Sequence, residues 1–286
     1  MAKLQYVKEL LSTEIATEGS LLIVKKIHDQ LIEETNKRLI PRTEAKFVVG
    51  PANIPGSSYD IDLEVENTLD IREIAEGADI YLDNQTYTSV NVKPIKYGVS
   101  IRITREMMED AKWNLLETNI KTAGKRFAEN ETNLVLVQLD AADNTVTGGA
   151  AITIANITAA MQFLEDEDKE PTTLLVGNEV LNDLRNIDTF VEADKAGSTE
   201  MMDTAFKGVI YGMKVMRFST NAAPTTGYAK FAYVFDNDEA YVIVEKRPIM
   251  VERFDLPSND LTAASITQRI AVKALRTNSI AKITTT

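Results

Sequence analysis

The sequence predicts an α+β fold, and three patterns carry that prediction. Residues 4–39 and roughly 104–139 keep apolar side chains at the 3–4 spacing of one helix face. Residues 59–65 and 87–103 read instead as extended, the first run alternating apolar and acidic side chains. Past Gly148-Gly149, short helical and strand-like runs succeed one another to residue 274.

In the first stretch Leu4, Val7, Leu10 and Leu11, then Ile23, Ile27 and Leu31, mark the apolar positions. Thr17, Gly19 and Ser20 leave open one helix or two. His28, the sole histidine, lies among these positions and reads as a packed or partly exposed side chain. Pro41 ends the segment, since proline lacks the donor a helix needs. Phe47-Val48-Val49 is extended, and a Gly/Pro loop (Gly50-Pro51, Pro55-Gly56) follows. Residues 59–65 have the period of a half-exposed strand, and 87–103 form a second extended run. The acidic middle between them turns at Gly77-Ala78-Asp79 and Asp83-Asn84, which makes a long hairpin arm. Such an arm has too little apolar surface to stand alone, so it is expected to lie against something else.

Thr104 is a suitable N-cap, with Glu106 in the first turn where a carboxylate suits the helix dipole. Met108, Ala111, Leu115, Leu116, Ile120, Ala123, Gly124 and Phe127 hold the stripe, and Leu134, Val135 and Leu139 can extend it. About 35 residues at ~1.5 Å each give a helix of roughly 50 Å, a spine rather than a core element. A boundary belongs near 143–150. Beyond it come a helix over 156–167, a strand at 172–176 and a helix opened by Asn178. Residues 188–207 read as a loop. Strands follow at 212–218, 231–235 and 240–245, the last two joined as a hairpin by Asp236-Asn237-Asp238-Glu239. Pro248 starts a final section with strands at 249–254 and 265–274, and 282–286 reads as a frayed tail.

Composition narrows the chemistry. Of 286 residues, 44% are apolar and 26% charged, an ordinary soluble balance. A net charge of −12 argues against a sequence-reading nucleic-acid binder. With no cysteine, disulfides, thiolate nucleophiles and Cys-ligated metals are excluded; with one histidine, so are multi-histidine sites. No apolar run approaches the ~18 residues of a membrane span. The N-terminus lacks the apolar core of a signal peptide, so the chain is expected to fold inside a cell and stay soluble. Charge is uneven: residues 50–92 set nine carboxylates against Arg72 alone, and 141–207 set thirteen acids against four bases. These blocks read either as solvated surface or as faces that meet basic surfaces on neighbouring copies.

No motif carries a reaction. Glu165-Asp166-Glu167-Asp168 lacks the glycine turn of a hard-metal loop, and Asp236-Asn237-Asp238-Glu239 reads as a turn. Neither a Walker motif nor a dinucleotide fingerprint occurs, and 208–212 is too sparse to cradle phosphate. Trp113 sits in the spine helix, where packing is the default. No catalytic, cofactor-binding or metal-binding residue is nominated.

The order of elements is informative. Residues 74–80 (Ile-Ala-Glu-Gly-Ala-Asp-Ile) lie in the arm, and 92–106 (Val-Lys-Pro-Ile-Lys-Tyr-Gly-Val-Ser-Ile-Arg-Ile-Thr-Arg-Glu) lead into the spine. Then come 174–185 (Leu-Leu-Val-Gly-Asn-Glu-Val-Leu-Asn-Asp-Leu-Arg), 208–215 (Gly-Val-Ile-Tyr-Gly-Met-Lys-Val), the 231–245 segment, Arg247 and 251–254 (Val-Glu-Arg-Phe). With an amphipathic N-terminal segment, this order over nearly the whole chain resembles the major capsid proteins of tailed viruses, the Hong Kong 97-type fold. Each motif is weak alone; their order and spacing make the match.

The resemblance implies an N-terminal arm (1–49) and an extended loop (50–92) that overlaps an adjacent subunit. It implies a peripheral domain (93–145 and 246–286) and an axial domain (146–245). The implied function is a virion shell subunit, made in the host cytoplasm, that assembles through hexamers and pentamers around double-stranded DNA. Its partners would be its own copies, with separate scaffolding, portal and decoration proteins, non-specific DNA contacts and no membrane. Alternatives are an encapsulin-type nanocompartment and, more remotely, a soluble carboxylate-dependent enzyme. Some members of the family cross-link a loop lysine; residues 50–92 contain none, with Lys46 and Lys93 the nearest, so no loop-lysine network is expected. The arm begins almost at Met1, so a mature subunit starting at Met1 or Ala2 is expected. The acidic loop is expected to dock through Ile61, Leu63, Val65 and Leu69, or on the bases Lys112, Lys121, Lys125, Arg126, Arg253, Arg269, Lys273 and Arg276. Lys214 and Lys230 serve as bases outside that set, and Arg72 is expected to pair within the arm.

Overall fold

The structure, a computed structural model, describes residues 42–50, 54, 56–66, 68–77, 79–104, 106–107, 115–187, 206–219, 228–256 and 261–285. His28, Trp113, Lys112, the helix expected over 4–39 and most of the loop expected over 188–207 lie outside them.

Among the described residues the strands form three sheets. Strands β1 (Val48–Val49), β2 (Tyr59–Glu64), β3 (Tyr87–Val92) and β4 (Ile95–Thr104) precede the helix α1 (Leu115–Leu139). The extended run at 87–103 is thus two strands, parted at Lys93-Pro94 where proline cannot continue a ladder. Thr104 Oγ1 accepts the Met107 N–H at 3.2 Å, the cap expected there. After α1 come β5 (Asn144–Thr147), α2 (Ile154–Glu165), β6 (Thr173–Val176), α3 (Asn178–Arg185), β7 (Phe206–Ile210) and β8 (Met213–Arg217). The chain closes with β9 (Phe231–Phe235), β10 (Tyr241–Leu256), β11 (Leu261–Ala274) and β12 (Ile280–Thr284).

A six-stranded sheet runs β5-β12-β9-β6-β8-β7, a four-stranded sheet runs β1-β10-β11-β4, and β2-β3 is a ribbon of its own. Alternation along β6 sends Leu174 and Val176 to one face and Leu175 to the other. The first face packs on α2 and α3 through Ile157, Leu164, Val180 and Leu184. The second packs on Val135, Leu136 and Leu139 of α1 and on Tyr241, Ile243 and Ile270 of the four-stranded sheet. Earlier in α1, Ala123 and Phe127 pack on Val251 and Ile266 of the four-stranded sheet. The helix therefore spans both sheets, as a spine should.

Local chemistry sets the element ends. Thr153 and Asn156 cap α2 reciprocally, which starts it at Ile154 rather than at 156. Asn178 opens α3 as expected, with Gly177 as its N-cap; a Cβ at Gly177 would clash with the backbone of Ala229. Tyr211 (φ 48°) and Gly212 (φ 82°) make the two-residue turn between β7 and β8.

Three expectations need correction. Residues 236–239 do turn, with Ala240 N–H donating to Asp236 O at 2.9 Å, but β9 and β10 lie in different sheets and form no hairpin. Pro248 does not start a section: β10 runs through it, with irregular register between Glu245 and Met250 absorbing the missing donor. Residues 282–284 are not frayed, because β12 lies between β5 and β9 with Ile280, Ala281 and Ile283 fully buried. Thr285 is also held, by two bonds to Lys230 O.

Candidate assembly interface

The ribbon is built as its sequence dictates. Register pairs Tyr59 with Val92 and Glu64 with Tyr87. Ile61, Leu63 and Val92 face inward onto Val242, Val244 and Leu275, while Asp60, Asp62 and Glu64 face water. Burial of Ile61 and Leu63 against their own subunit corrects the expectation that they dock on a neighbour. Beyond the ribbon, Val65 N–H donates to Thr86 O at 2.9 Å, and no regular element forms among the described residues of 65–86. There Ile71 is 99% exposed, Leu82 95% and Ile80 77%, with Leu69 and Tyr81 also open, as is Tyr87 at the start of β3. Single exposed apolar residues are ordinary; this many on one projection mark an interaction surface.

Arg72 binds Asp70 at 2.6 Å, lies 4.0 Å from Asp83 and sits 5.3 Å from the Tyr81 ring centroid, so it pairs within the loop as expected. The proposed cross-subunit bases fare differently. Arg276 already binds the loop of its own chain, at 2.9 Å to Glu66 and 2.8 Å to Glu64 O. Arg126 (2.9 Å) and Lys125 (3.7 Å) reach Glu129 one turn along the helix, and Arg269 donates to Pro94 O. Lys214 sits 3.6 Å from the buried Glu44, so it is no longer a neutral comparison base.

Two ion clusters that sequence patterns did not single out flank the loop and the N-terminal side. At the loop root, Lys169 pairs with Glu66 and, at 2.6 Å, with Glu239; Arg276 reaches Glu239 at 3.4 Å, and Asn278 donates to Glu66 and Glu167. Burial works against charge on Glu66, but the Lys169 and Arg276 partners outweigh it and hold its pKa below the usual carboxylate range. Burial likewise opposes charge on Lys169, and its two carboxylates outweigh that, raising its pKa. The one available signal was Lys169 itself, a single base inside the acidic run 165–170.

At the other cluster Arg42 grips Glu131 of α1 with two bonds, 2.7 and 2.9 Å, and Glu245 of β10 at 3.1 and 3.2 Å. Gln268 also donates to Glu245. Glu131 is 1% exposed, and burial raises its pKa despite Arg42. Glu44 nearby accepts from Thr173 at 3.1 Å and from Asn237.

Two clefts accompany this surface. One, of about 430 Å³, is the ion-paired groove at the loop root; the other, about 480 Å³, is lined by Glu165, Glu170, Thr172, Tyr211 and Lys214. Their threonine hydroxyls are engaged, Thr68 with Gln85 and Thr172 with Phe235 O. Among the described residues no cluster of His, Asp and Glu could hold a metal ion, and no helix is long and apolar enough to cross a membrane.

Comparison with known proteins gives this surface its context. No curated protein matches the sequence. The fold is similar to that of a chain from Mycobacterium phage Adephagia, at 14% identity over 85% of this chain and 89% of that one, with a TM-score of 0.64. It is also similar to the capsid of a native GTA particle, at 12% identity over 87% and 90% of the two chains, TM-score 0.62. A virus-like particle from Pyrococcus furiosus matches at 12% identity over 91% and 99%, TM-score 0.58. These identities speak to fold, and the α+β, Hong Kong 97-type architecture expected from the sequence is the one found. A family model for phage capsid proteins matches residues 87–283, more than half of the sequence, and the chain belongs to that family.

Proposed function

We propose that this chain, as the major capsid subunit of a tailed virus, assembles through hexamers and pentamers into an icosahedral shell around double-stranded DNA. The observation that carries the reading is the loop of 65–86, whose Ile71 and Leu82 are almost wholly in water on a projection without a core. A closed shell repeats one such contact by symmetry, so modest pairwise energies sum to a stable particle. The role is structural, and the virion is its location, after synthesis in the host cytoplasm. Scaffolding, portal and decoration proteins are proposed partners, and DNA contacts are proposed to be non-specific, consistent with the net charge of −12.

In this reading 1–49 is the N-terminal arm, 50–92 the extended loop, 93–145 with 246–286 the peripheral domain, and 146–245 the axial domain. Sheet membership favours two exchanges: β12 and β5 go with the axial sheet, and the start of β10 goes with the peripheral one. The nanocompartment alternative is not favoured over a phage capsid, given the family match.

The test is sedimentation and negative-stain microscopy of the purified protein, with nuclease-protected DNA assayed in particles from producing cells. Closed shells holding double-stranded DNA are expected. A monomer at all concentrations and salts would contradict assembly, and shells holding protein cargo would point to the compartment.

A further inference from the structure

The loop-root ion cluster draws one residue from each of four junctions. Glu66 lies just past β2, and Lys169 lies in the α2–β6 connection. Glu239 and Arg276 lie in the β9–β10 and β11–β12 connections, by which the chain passes between the six-stranded and four-stranded sheets. We propose that Glu66 is a tie-point coupling the tilt of the loop to the angle between the two sheets.

The physical case rests on two kinds of contact at the ribbon. Its apolar seat, Ile61 and Leu63 on Val242, Val244 and Leu275, is non-directional and tolerates sliding. The ionic contacts above it are charge-assisted and directional, so they select one tilt. Both Lys169 and Arg276 bond Glu66 and Glu239 together, so the loop cannot swing without disturbing the crossover at 239. Lys169 is also aimed by its backbone. Asp168 takes φ 56° where a helix usually ends in glycine, and Lys169 N–H closes back on Leu164 O at 2.9 Å. A strained αL residue is kept at the point that presents the lysine. Any effect of this coupling on a shell rests on the shell-subunit reading; the coupling itself belongs to the single subunit.

Hydrogen–deuterium exchange on full-length subunits, held unassembled and matched by sedimentation, tests it. In Glu66→Gln, exchange is expected to rise about tenfold both in β3 and in the connections at 236–240 and 276–280, with β6 unchanged. Glu73→Gln, elsewhere in the loop, should change neither region. A rise confined to the ribbon, or no rise, would overturn the coupling. If Glu66→Gln does not fold, Lys169→Gln is measured in the same way and the same paired rise is expected; a rise confined to 168–172 would overturn it. Because these readings are taken on subunits, a wild-type chain that never forms shells would contradict the capsid reading without touching this result.

Discussion

In the six-stranded sheet Leu174, Val176, Val215, Val234 and Ile283 are fully buried, whereas in the loop Ile71 and Leu82 stand almost wholly in water. The side chains are of one kind; their circumstances differ because the sheet has helices on one face and a second sheet on the other. The ribbon at the loop's base is seated on the four-stranded sheet, but Ile71, Ile80 and Leu82 beyond it are left in water. Full burial of one such side chain contributes about 1.5–3 kcal/mol, so the sheet realises this within the subunit and the loop defers it to another surface. In the proposed shell, stability of the fold and stability of the assembly would thus be held by different residues.

The largest effect that could break this separation comes from the loop. Ile71→Asp combined with Leu82→Asp should raise the concentration needed for assembly by at least about a hundredfold, while the unfolding midpoint of the subunit moves by less than about 2 °C. Sedimentation over a concentration series and calorimetry read the two quantities. Matched losses of both would merge what the comparison separates. In the sheet, Leu174→Ala should cost about 2–5 kcal/mol of subunit stability in denaturant titrations. A loss under ~1 kcal/mol would place the stabilising core elsewhere.

Acid sharpens the contrast between the two ion clusters, because it acts on them with opposite sign. Glu131 has a raised pKa, so its contribution is fully present below the ordinary carboxylate value and lost as pH rises through its folded value. Glu66 has a lowered pKa, so its contribution is present above the ordinary value and lost as pH falls through its folded value. Removing the grip on Glu131 with Arg42→Met should cost about 1–3 kcal/mol at neutral pH and less in acid, since burial favours the protonated form of Glu131. Denaturant titrations at neutral and acidic pH check this, and an equal cost at both would contradict it. The smallest effect is Arg72→Ala: the side chain is half exposed and its pairs lie within the loop, so subunit stability should change by under ~1 kcal/mol in the same titrations.

What was legible in the sequence follows a physical line. The alternation Tyr59, Ile61, Leu63 against Asp60, Asp62, Glu64 was readable because a strand with one wet face has a period of two. The spine was readable because its stripe faces both sheets. Partner choice was not readable. The turn at 236–239 has ordinary hairpin composition, yet its strands enter different sheets, and nothing local encodes that. β12 looked like a tail because it is short and terminal; its burial comes from β5 and β9, 137 and 49 residues away at the register positions Ala281–Asn144 and Lys282–Tyr233 respectively, so its apolar run had no local partner to betray it. The Glu66 cluster joins residues from four separate connections, and in a chain with 43 carboxylates no pairing rule picks them out.

The central claim is that the loop's apolar surface is completed by another copy of the chain. Hydrogen–deuterium exchange compared between free subunits and assembled shells tests it most directly. The account predicts that amides of 68–77 and 79–86 exchange rapidly in subunits and become strongly protected in shells, while β6 and β9 are protected equally in both. Loop amides that exchange as fast in shells as in free subunits would contradict it.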